Sequence, residues 1–393
     1  MLKNVFLSGG SRTPIGMFNG AFAEVPAAQL GARVIKAALE RSEVKPGDVD
    51  EVLLGNVIGA GLGQNIARQA AIGAGLPVSC GATTINKVCG SSMRAIILAA
   101  QAIQCGDADL VVSGGTESMT GAPYLLPRAR NGYRMGHGQL IDSMIHDGLW
   151  DVYNDVHMGM CGDQCAVEFG IGREEQDAYA IESFRRVIAA QEAGHFSGSI
   201  VPVEVKARKE TVVVDRDEEP TKFNEAKLRS LKPAFGREGS VTAGNASGIS
   251  DGAAATVVVG EEKAGALGVP CQARILGHAN VALEPNRFTV APIHAIRKLC
   301  DRLSFKTSEV DLFEINEAFS VVTLLAMREL QIPHEKVNVL GGAVAIGHPI
   351  GATGARIVVT LANALRLRHK KLGIACLCIG GGEASAIAIE RCG

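Results

Sequence analysis

Short apolar runs bounded by glycine alternate along the chain with longer, alanine-rich apolar segments. The runs 109–115 and 375–381 have the length of buried strands, whereas 93–103 and 352–367 have the length and the terminal signals of buried helices. Strands without polar alternation, separated by helices, are typical of parallel sheets with both faces covered. The pattern therefore predicts an α/β protein with parallel strands.

The same pattern occurs twice. Three pairs of segments resemble each other in the same order along the chain: 48–56 and 309–317, 109–115 and 375–381, and 252–259 and 384–389. In the first pair, a turn precedes a strand that ends at an asparagine. These repeats predict two copies of one α/β unit related by duplication, with a shared helical layer between their sheets.

A long additional segment, 119–248, separates the parts of the first copy. A segment of this length is not compatible with an unstructured loop inside a compact domain. We expect an inserted loop subdomain that covers part of the functional site, with a helix near 174–193 and strand-like runs at 201–205 and 211–214. The predicted division is 1–118 plus 249–269 for the N-terminal half, 119–248 for the insertion and 270–393 for the C-terminal half.

Composition excludes several classes of function. The 39 basic and 41 acidic residues give a net charge of -2, which provides no overall field for nucleic acid or a membrane surface. The ten cysteines are scattered without the spacing of a disulfide-rich secreted domain, so we expect reduced thiols. Neither a signal peptide nor an uninterrupted apolar stretch of about 20 residues is evident, and we expect a cytoplasmic protein without a membrane span.

Cys89 is the first candidate for chemistry. It precedes Gly90 and two serines, which resemble a turn and cap before the apolar segment 93–103. The positive end of a helix dipole and its free N–H groups favour a thiolate, so we expect this position to activate a nucleophile. The alternative is a buried cysteine that serves only as a small hydrophobic side chain.

Three further candidates lie near predicted strand ends or in a glycine-rich loop, where the functional sites of open α/β sheets are found. His348 lies in a Gly/Pro loop and could be a base or a donor. Cys378 precedes three glycines, whose N–H groups could face an oxyanion, and Asn316 offers an amide donor. The Cys-x-Cys and Cys-x₃-Cys pairs could instead be metal ligands, but they lack the paired spacing of structural zinc sites.

Several motifs together resemble the thiolase family over essentially the whole chain: Ser-Arg-Thr-Pro-Ile-Gly at 11–16, Asn-Lys-Val-Cys-Gly-Ser-Ser at 86–92, Val-Thr-Ala-Gly-Asn-Ala-Ser-Gly at 241–248, Asn-Glu-Ala-Phe at 316–319, Gly-His-Pro at 347–349 and Cys-Ile-Gly-Gly-Gly at 378–382. Within that family the chain looks like the acetyl-CoA acetyltransferase type. The resemblance implies two βαβαβαββ halves stacked in α-β-α-β-α layers, with the inserted loop subdomain over the coenzyme A site.

The resemblance also implies a role for each matching residue. Cys89 would accept the acyl group, His348 would activate Cys89, and Cys378 would abstract the α-proton of the second acetyl-CoA. Asn316 and His348 would form one oxyanion hole, and the N–H groups of Cys89 and Gly380 the other. The residues that would contact coenzyme A or the acyl group are Ser247, His157, Met158, Ala318, Phe319, Ala243, Phe235 and Lys222.

The implied activity is Claisen condensation of two acetyl-CoA to acetoacetyl-CoA and coenzyme A, and the reverse thiolysis. It needs no metal and no cofactor, since coenzyme A is a substrate or product, and the implied assembly is a homotetramer. Alternatives are a broader 3-ketoacyl-CoA thiolase of fatty-acid β-oxidation, a condensing enzyme acting on carrier-protein thioesters and a non-catalytic acyl-CoA-binding protein. Glu383 departs from the small or apolar residue expected after the glycines, and 215–230 is shorter and more acidic than expected.

Overall fold

The computed structural model describes residues 3–206 and 210–393. Its strands are β1 (Val5–Arg12), β2 (Gly16–Met17), β3 (Glu51–Gly55), β4 (Gly81–Ile85), β5 (Leu110–Ser118), β6 (Tyr124–Leu125), β7 (Ile141–Asp142), β8 (Trp150–Asp151), β9 (Val156–His157), β10 (Val203–Lys206), β11 (Thr211–Val214), β12 (Ser250–Gly260), β13 (Ala273–Ala282), β14 (Leu312–Ile315), β15 (Leu372–Ile379) and β16 (Glu383–Arg391). Its helices are α1 (Ala27–Arg41), α2 (Ile66–Gly73), α3 (Ser91–Cys105), α4 (Met158–Phe169), α5 (Arg173–Glu192), α6 (Glu225–Ser230), α7 (Glu261–Leu267), α8 (Ala291–Leu303), α9 (Ser320–Leu330), α10 (Ala343–Ile346) and α11 (Thr353–Leu367).

The predicted duplication is visible in the strand order. The N-terminal half has the order β1-β12-β5-β3-β4, and the C-terminal half has the order β13-β16-β15-β14. An isolated parallel bridge between Phe313 and Val337 takes the place that β4 has beside β3. The two halves meet where β1 pairs with β13, and they form one continuous sheet.

The expectation of parallel strands is correct only in part. Strands β3, β4 and β5 are parallel, as are β14 and β15, but every other pairing in the large sheet is antiparallel. Strands β12 and β16 are buried almost throughout despite this. A continuous apolar run indicates a strand that is buried on both faces, whether its neighbours are parallel or antiparallel. Here helices cover both faces of the sheet, so the antiparallel strands are buried as well.

A shared helical layer lies between the two halves, as predicted. Helix α3 packs on β3 and β5, α11 packs on β14 and β15, and the two helices pack on each other. Helices α1 and α2 cover the outer face of the N-terminal half, and α8 covers that of the C-terminal half. Val88–Cys105 is the one described segment long and apolar enough to cross a membrane, and most of it is buried as the core helix α3.

The insertion is folded, with α5 and the hairpin β10–β11 close to the predicted helix and strand-like runs. It is joined to the N-terminal half by a buried ion pair in which Arg12 donates to Asp217 at 2.6 and 2.8 Å. It reaches the C-terminal half through the bridge between Ala246 and Phe319. The predicted division into three segments remains a prediction.

The expectation of reduced thiols is wrong at one pair. Cys271 and Cys392 form a disulfide, with 5.8 Å between their Cα atoms, beside the paired residues Ala273 and Arg391 of β13 and β16. Their sequence separation of 121 residues gave no local signal, because only the pairing of these strands brings them together. The other eight cysteines are free.

Candidate active site

A strained turn presents Cys89. Val88 has φ of +47°, which is rare for a β-branched residue, and the nucleophile candidate follows it immediately before α3. The Ser91 hydroxyl stabilises the turn, since it accepts from the Lys87 N–H at 2.9 Å and donates to the Val88 carbonyl at 2.6 Å. Strain of this kind persists where surrounding contacts hold the backbone, and it is common at functional sites.

Cys378 is the penultimate residue of β15, two residues before the turn that leads into β16. Gly381 and Gly382 have φ of +88° and +89°, so this tight turn requires glycine at both positions. The turn places Gly380 and Cys89 on the wall of one cavity, where the Gly380 N–H acts to lower the pKa of the Cys89 thiol, although the two residues are far apart in sequence. The structure therefore brings the two predicted cysteines to one place.

His348 lies in the loop between α10 and α11, as predicted. Its backbone N–H donates to the Gly248 carbonyl at 3.0 Å, and its Nδ1 lies 2.6 Å from Oγ1 of Thr353. The Thr353 hydroxyl donates to the Pro349 carbonyl at 2.9 Å, so its oxygen is left to accept from Nδ1–H. This arrangement leaves the lone pair on Nε2, which has no hydrogen-bond partner among the described residues.

Asn316 follows β14, and a buried arginine orients its amide. Arg356 on α11 donates to Oδ1 of Asn316 at 3.1 Å and to Glu314 at 3.0 Å. Because a guanidinium is only a donor, it fixes the oxygen of the amide on its own side and turns Nδ2 away. Within the described residues this Nδ2 is a buried donor without a partner.

A second buried network anchors the segment after Asn316. Glu317 accepts from Tyr179 at 2.7 Å, from Ser183 at 2.8 Å and from Asn338 at 2.9 Å. Tyr179 and Ser183 belong to α5 of the insertion, so the network joins the insertion to the C-terminal half. A buried carboxylate with this many donors rigidifies the backbone on which Asn316 lies.

The candidate residues surround one cavity of about 290 Å³. Eleven of the thirteen predicted residues line it: Cys89, His157, Met158, Phe235, Ala243, Ser247, Ala318, Phe319, His348, Cys378 and Gly380. Lining residues that the sequence did not single out include Leu149, Phe288 and Ile350. A mostly apolar cleft with a few convergent polar groups is the usual form of a small-molecule site.

The two remaining candidates lie elsewhere. Asn316 is buried and precedes the lining residue Ala318 by two residues in the sequence. Lys222 is exposed, and its Nζ lies 3.7 Å from Glu218 rather than at the cavity wall. Its predicted contact with coenzyme A remains a prediction.

The insertion supplies an aromatic wall of this cavity. The His157 ring stacks on Phe235 with 4.5 Å between centroids, and Phe235 meets Phe319 edge-on at 6.3 Å. Nδ1 of His157 accepts from the Gly159 N–H, which leaves Nε2–H as a donor. Ser247 donates from its hydroxyl to the Ala318 carbonyl at 3.0 Å, which attaches the end of the insertion to this wall.

The expected thiolate at Cys89 is corrected by the burial of the site. Burial raises the pKa of Cys89 to about 11, although the Gly380 N–H acts in the opposite direction. Burial, with the neighbouring Cys89 and Cys376, raises the pKa of Cys378 well above its usual value. Burial and, to a lesser extent, the charge of Arg356 lower the pKa of His348 to about 3. In all three groups the loss of solvent favours the neutral form.

Comparison with known proteins agrees with this arrangement. Residues 5–262 match the model of the thiolase N-terminal domain, and residues 269–391 match that of the thiolase C-terminal domain. Acetyl-CoA acetyltransferase 2 of Arabidopsis thaliana is 52% identical over 99% of this chain and 97% of its own length. Acetyl-CoA acetyltransferase of Pseudomonas aeruginosa is 49% identical over 99% of this chain and 100% of its own length.

Two solved structures share the fold over nearly their whole length. The Bacillus anthracis acetyl-CoA acetyltransferase superposes with a TM-score of 0.97 at 42% identity and covers 100% of this chain and 99% of its own. The Acat5 thiolase of Ascaris suum, solved in complex with coenzyme A, gives 0.94 at 44% identity, with coverage of 99% and 100%. The fold, the motifs and these matches lead to one conclusion: the chain belongs to the thiolase family.

Proposed function

We propose that this chain is an acetyl-CoA C-acetyltransferase, which condenses two acetyl-CoA into acetoacetyl-CoA and coenzyme A and catalyses the reverse thiolysis. The observation that carries the proposal is the convergence of Cys89, Cys378 and His348 on one cavity. Two thiols and an imidazole are the groups that this chemistry needs, namely a nucleophile, a base for the α-carbon and a base for the nucleophile.

In the first half of the reaction, Cys89 attacks the thioester carbonyl of acetyl-CoA. Nε2 of His348 takes the thiol proton as the bond to the carbonyl carbon forms, so that neither charge has to exist alone in the buried site. The tetrahedral intermediate collapses, and coenzyme A leaves with the proton of the Cys378 thiol. An acetyl-Cys89 thioester then remains beside the Cys378 thiolate and the protonated His348. The Gly380 and Cys89 N–H groups are the proposed donors to the oxygen of this acyl group.

In the second half, Cys378 removes the α-proton of another acetyl-CoA. Nδ2 of Asn316 and the protonated Nε2 of His348 are the proposed donors that stabilise the enolate oxygen, and each such donor is worth about 3–4 kcal/mol. The enolate carbon attacks acetyl-Cys89, and acetoacetyl-CoA forms as the bond to the Cys89 sulfur breaks. The Cys89 sulfur takes its proton back from Nε2 of His348, and Cys378 keeps the α-proton, so all three groups return to their starting forms. The unpartnered Nδ2 of Asn316 supports this role.

The small cavity supports a short acyl group. Met158, Leu149 and Ile350 contribute apolar side chains to its lining. The proposed ligands are acetyl-CoA, acetoacetyl-CoA and coenzyme A, and the runner-up is a thiolase for longer 3-ketoacyl-CoA.

The test compares thiolysis of acetoacetyl-CoA with thiolysis of 3-ketohexanoyl-CoA and 3-ketodecanoyl-CoA, with Cys89→Ala as the control. We expect the highest kcat/KM for acetoacetyl-CoA and no turnover by the variant. A preference for the longer substrates would overturn the acetyl assignment. An active Cys89→Ala variant would overturn the mechanism.

We also infer a homotetramer. The segment between Tyr124 and Leu140 exposes several large apolar side chains, among them the almost fully exposed Met135, which supports burial of this segment in an assembly. Light scattering after size exclusion should give the mass of four chains of 41.0 kDa each. A stable monomer at micromolar concentration would refute the tetramer.

A further inference from the structure

Glu383, the residue that departs from the family pattern, has a partner in the turn that carries the nucleophile. Its carboxylate forms an ion pair with Nζ of Lys87, two residues before Cys89. The side chains are 23% and 35% exposed for Lys87 and Glu383, so the pair is partly shielded from water and salt. It spans 296 residues of sequence and joins the two halves of the molecule.

The pair joins the two segments whose relative position matters for the site. One is the strained turn at Val88, and the other is the hairpin that carries Gly380. Among the residues that the structure describes, it is the only side-chain hydrogen bond between 86–90 and 379–383. The remaining hydrogen bonds described for the turn stay within it, continue into α3 or go to Val57.

Apolar packing brings the same segments close but does not fix their direction. A Cβ at Gly90 would lie 2.4 Å from Cδ1 of Ile379, and one at Gly380 would lie 3.5 Å from Cγ1 of Val88. Such contacts are non-directional, whereas an ion pair with a hydrogen bond prefers one geometry. The pair can therefore define the separation between the Gly380 N–H and the Cys89 sulfur.

We propose that Lys87 and Glu383 are positioning residues, an ionic clasp that holds the Cys89 turn against the Gly380 hairpin. The clasp touches neither the substrate nor the reacting atoms, and it acts through the placement of the Gly380 N–H. A donor placed for the transition state lowers kcat when it moves, without an equal effect on ground-state binding. As a role in catalysis, this inference rests on the proposed function.

The test removes and then restores the pair. Lys87→Met and Glu383→Gln should each lower kcat for acetoacetyl-CoA thiolysis about fivefold, the equivalent of about 1 kcal/mol, with KM within about twofold. The exchanged double variant, Lys87→Glu with Glu383→Lys, should recover at least half of the wild-type kcat. The matched control is the ion pair between Arg274 and Glu390, which joins β13 to the same strand β16. Arg274→Met and Glu390→Gln should leave kcat unchanged. They should lower the melting temperature by about as much as the Lys87 and Glu383 variants do.

A second readout does not depend on turnover. Because the Gly380 N–H lowers the pKa of Cys89, loss of the clasp should slow iodoacetamide labelling of the Cys89 peptide at neutral pH severalfold, as followed by mass spectrometry. Unchanged or faster labelling, or no rescue by the exchanged pair, would overturn the clasp. If wild-type protein does not cleave acetoacetyl-CoA, the proposed function fails, and the labelling rates still decide the clasp.

Discussion

The hydrogen bond between His348 and Thr353 sets the proton position on which the proposed base depends. The Thr353 hydroxyl donates to the Pro349 carbonyl and accepts from Nδ1–H of the imidazole. Nε2 therefore carries the lone pair that accepts the Cys89 proton. The substitution Thr353→Val keeps the shape of the side chain and removes the acceptor.

The structure allows the size of the effect to be worked out. His348 is 6% exposed, so an Nδ1–H without an acceptor would be cut off from water, which costs about 1–3 kcal/mol. The ring can avoid this cost only by moving the proton to Nε2 or by turning, and both remove the base. A loss of about 2 kcal/mol corresponds to a decrease in kcat of about 30-fold. Nδ1 faces away from the proposed substrate, so KM should change by less than about twofold.

The assay is steady-state thiolysis of acetoacetyl-CoA, with thermal unfolding as a measure of folding. Thr353→Ser retains the hydroxyl and should keep kcat within about threefold of wild type. A threefold change corresponds to a barrier difference of less than about 1 kcal/mol, since about 1 kcal/mol changes the rate about fivefold. A folded Thr353→Val variant with wild-type kcat would refute the assignment of the tautomer.

Three further predictions address the pKa of the nucleophile, the acyl pocket and the buried ion pair. Iodoacetamide labelling of Cys89 should rise about tenfold per pH unit up to about pH 11, because burial keeps the thiol protonated, and a plateau near neutrality would contradict this. Met158→Ala should raise the ratio of kcat/KM for 3-ketohexanoyl-CoA to kcat/KM for acetoacetyl-CoA by about tenfold or more, because space for one methylene is worth about 1–3 kcal/mol. An unchanged ratio would show that this side chain does not limit the acyl chain length. Arg12→Met should lower the free energy of unfolding in urea by about 3–5 kcal/mol because Asp217 stays buried without its cation, whereas loss of the exposed Arg185 pair should cost less than about 1 kcal/mol.

The sequence predicted which segments form the site because the motifs coincide with strand ends. Asn316 directly follows β14 and Cys378 lies at the end of β15, and the pairing of these two parallel strands brings the residues together. In the N-terminal half, Cys89 follows the end of β4 by four residues. Gly90 was a correct local signal for the start of α3, but Ser91 and Ser92 are the first two residues of the helix rather than its cap, and no side-chain hydrogen bond caps it.

The ionisation of the site could not be predicted in the same way. A pKa depends on how much solvent is lost, and that depends on contacts made by distant segments, here the insertion and the C-terminal half against Cys89. Arg356 was missed because only the tertiary structure brings Glu314 and Asn316 to it. Thr353 was missed although its partners, His348 and Pro349, are close to it in sequence. A signal did exist for Arg356, since it is a single charge within the apolar stretch Ala355–Leu365 of α11. A buried charge in such a helix needs a partner, and the partner here is part of the site.

The disulfide between Cys271 and Cys392 has a consequence for how the molecule responds to its surroundings. The segment of chain between the two cysteines contains nearly all of the C-terminal half and none of the N-terminal half. Closure of a loop of 121 residues lowers the entropy of the unfolded chain by an amount worth about 5 kcal/mol. Reduction by glutathione would remove this contribution, so that the resistance of the molecule to denaturation depends on the reducing power of the compartment.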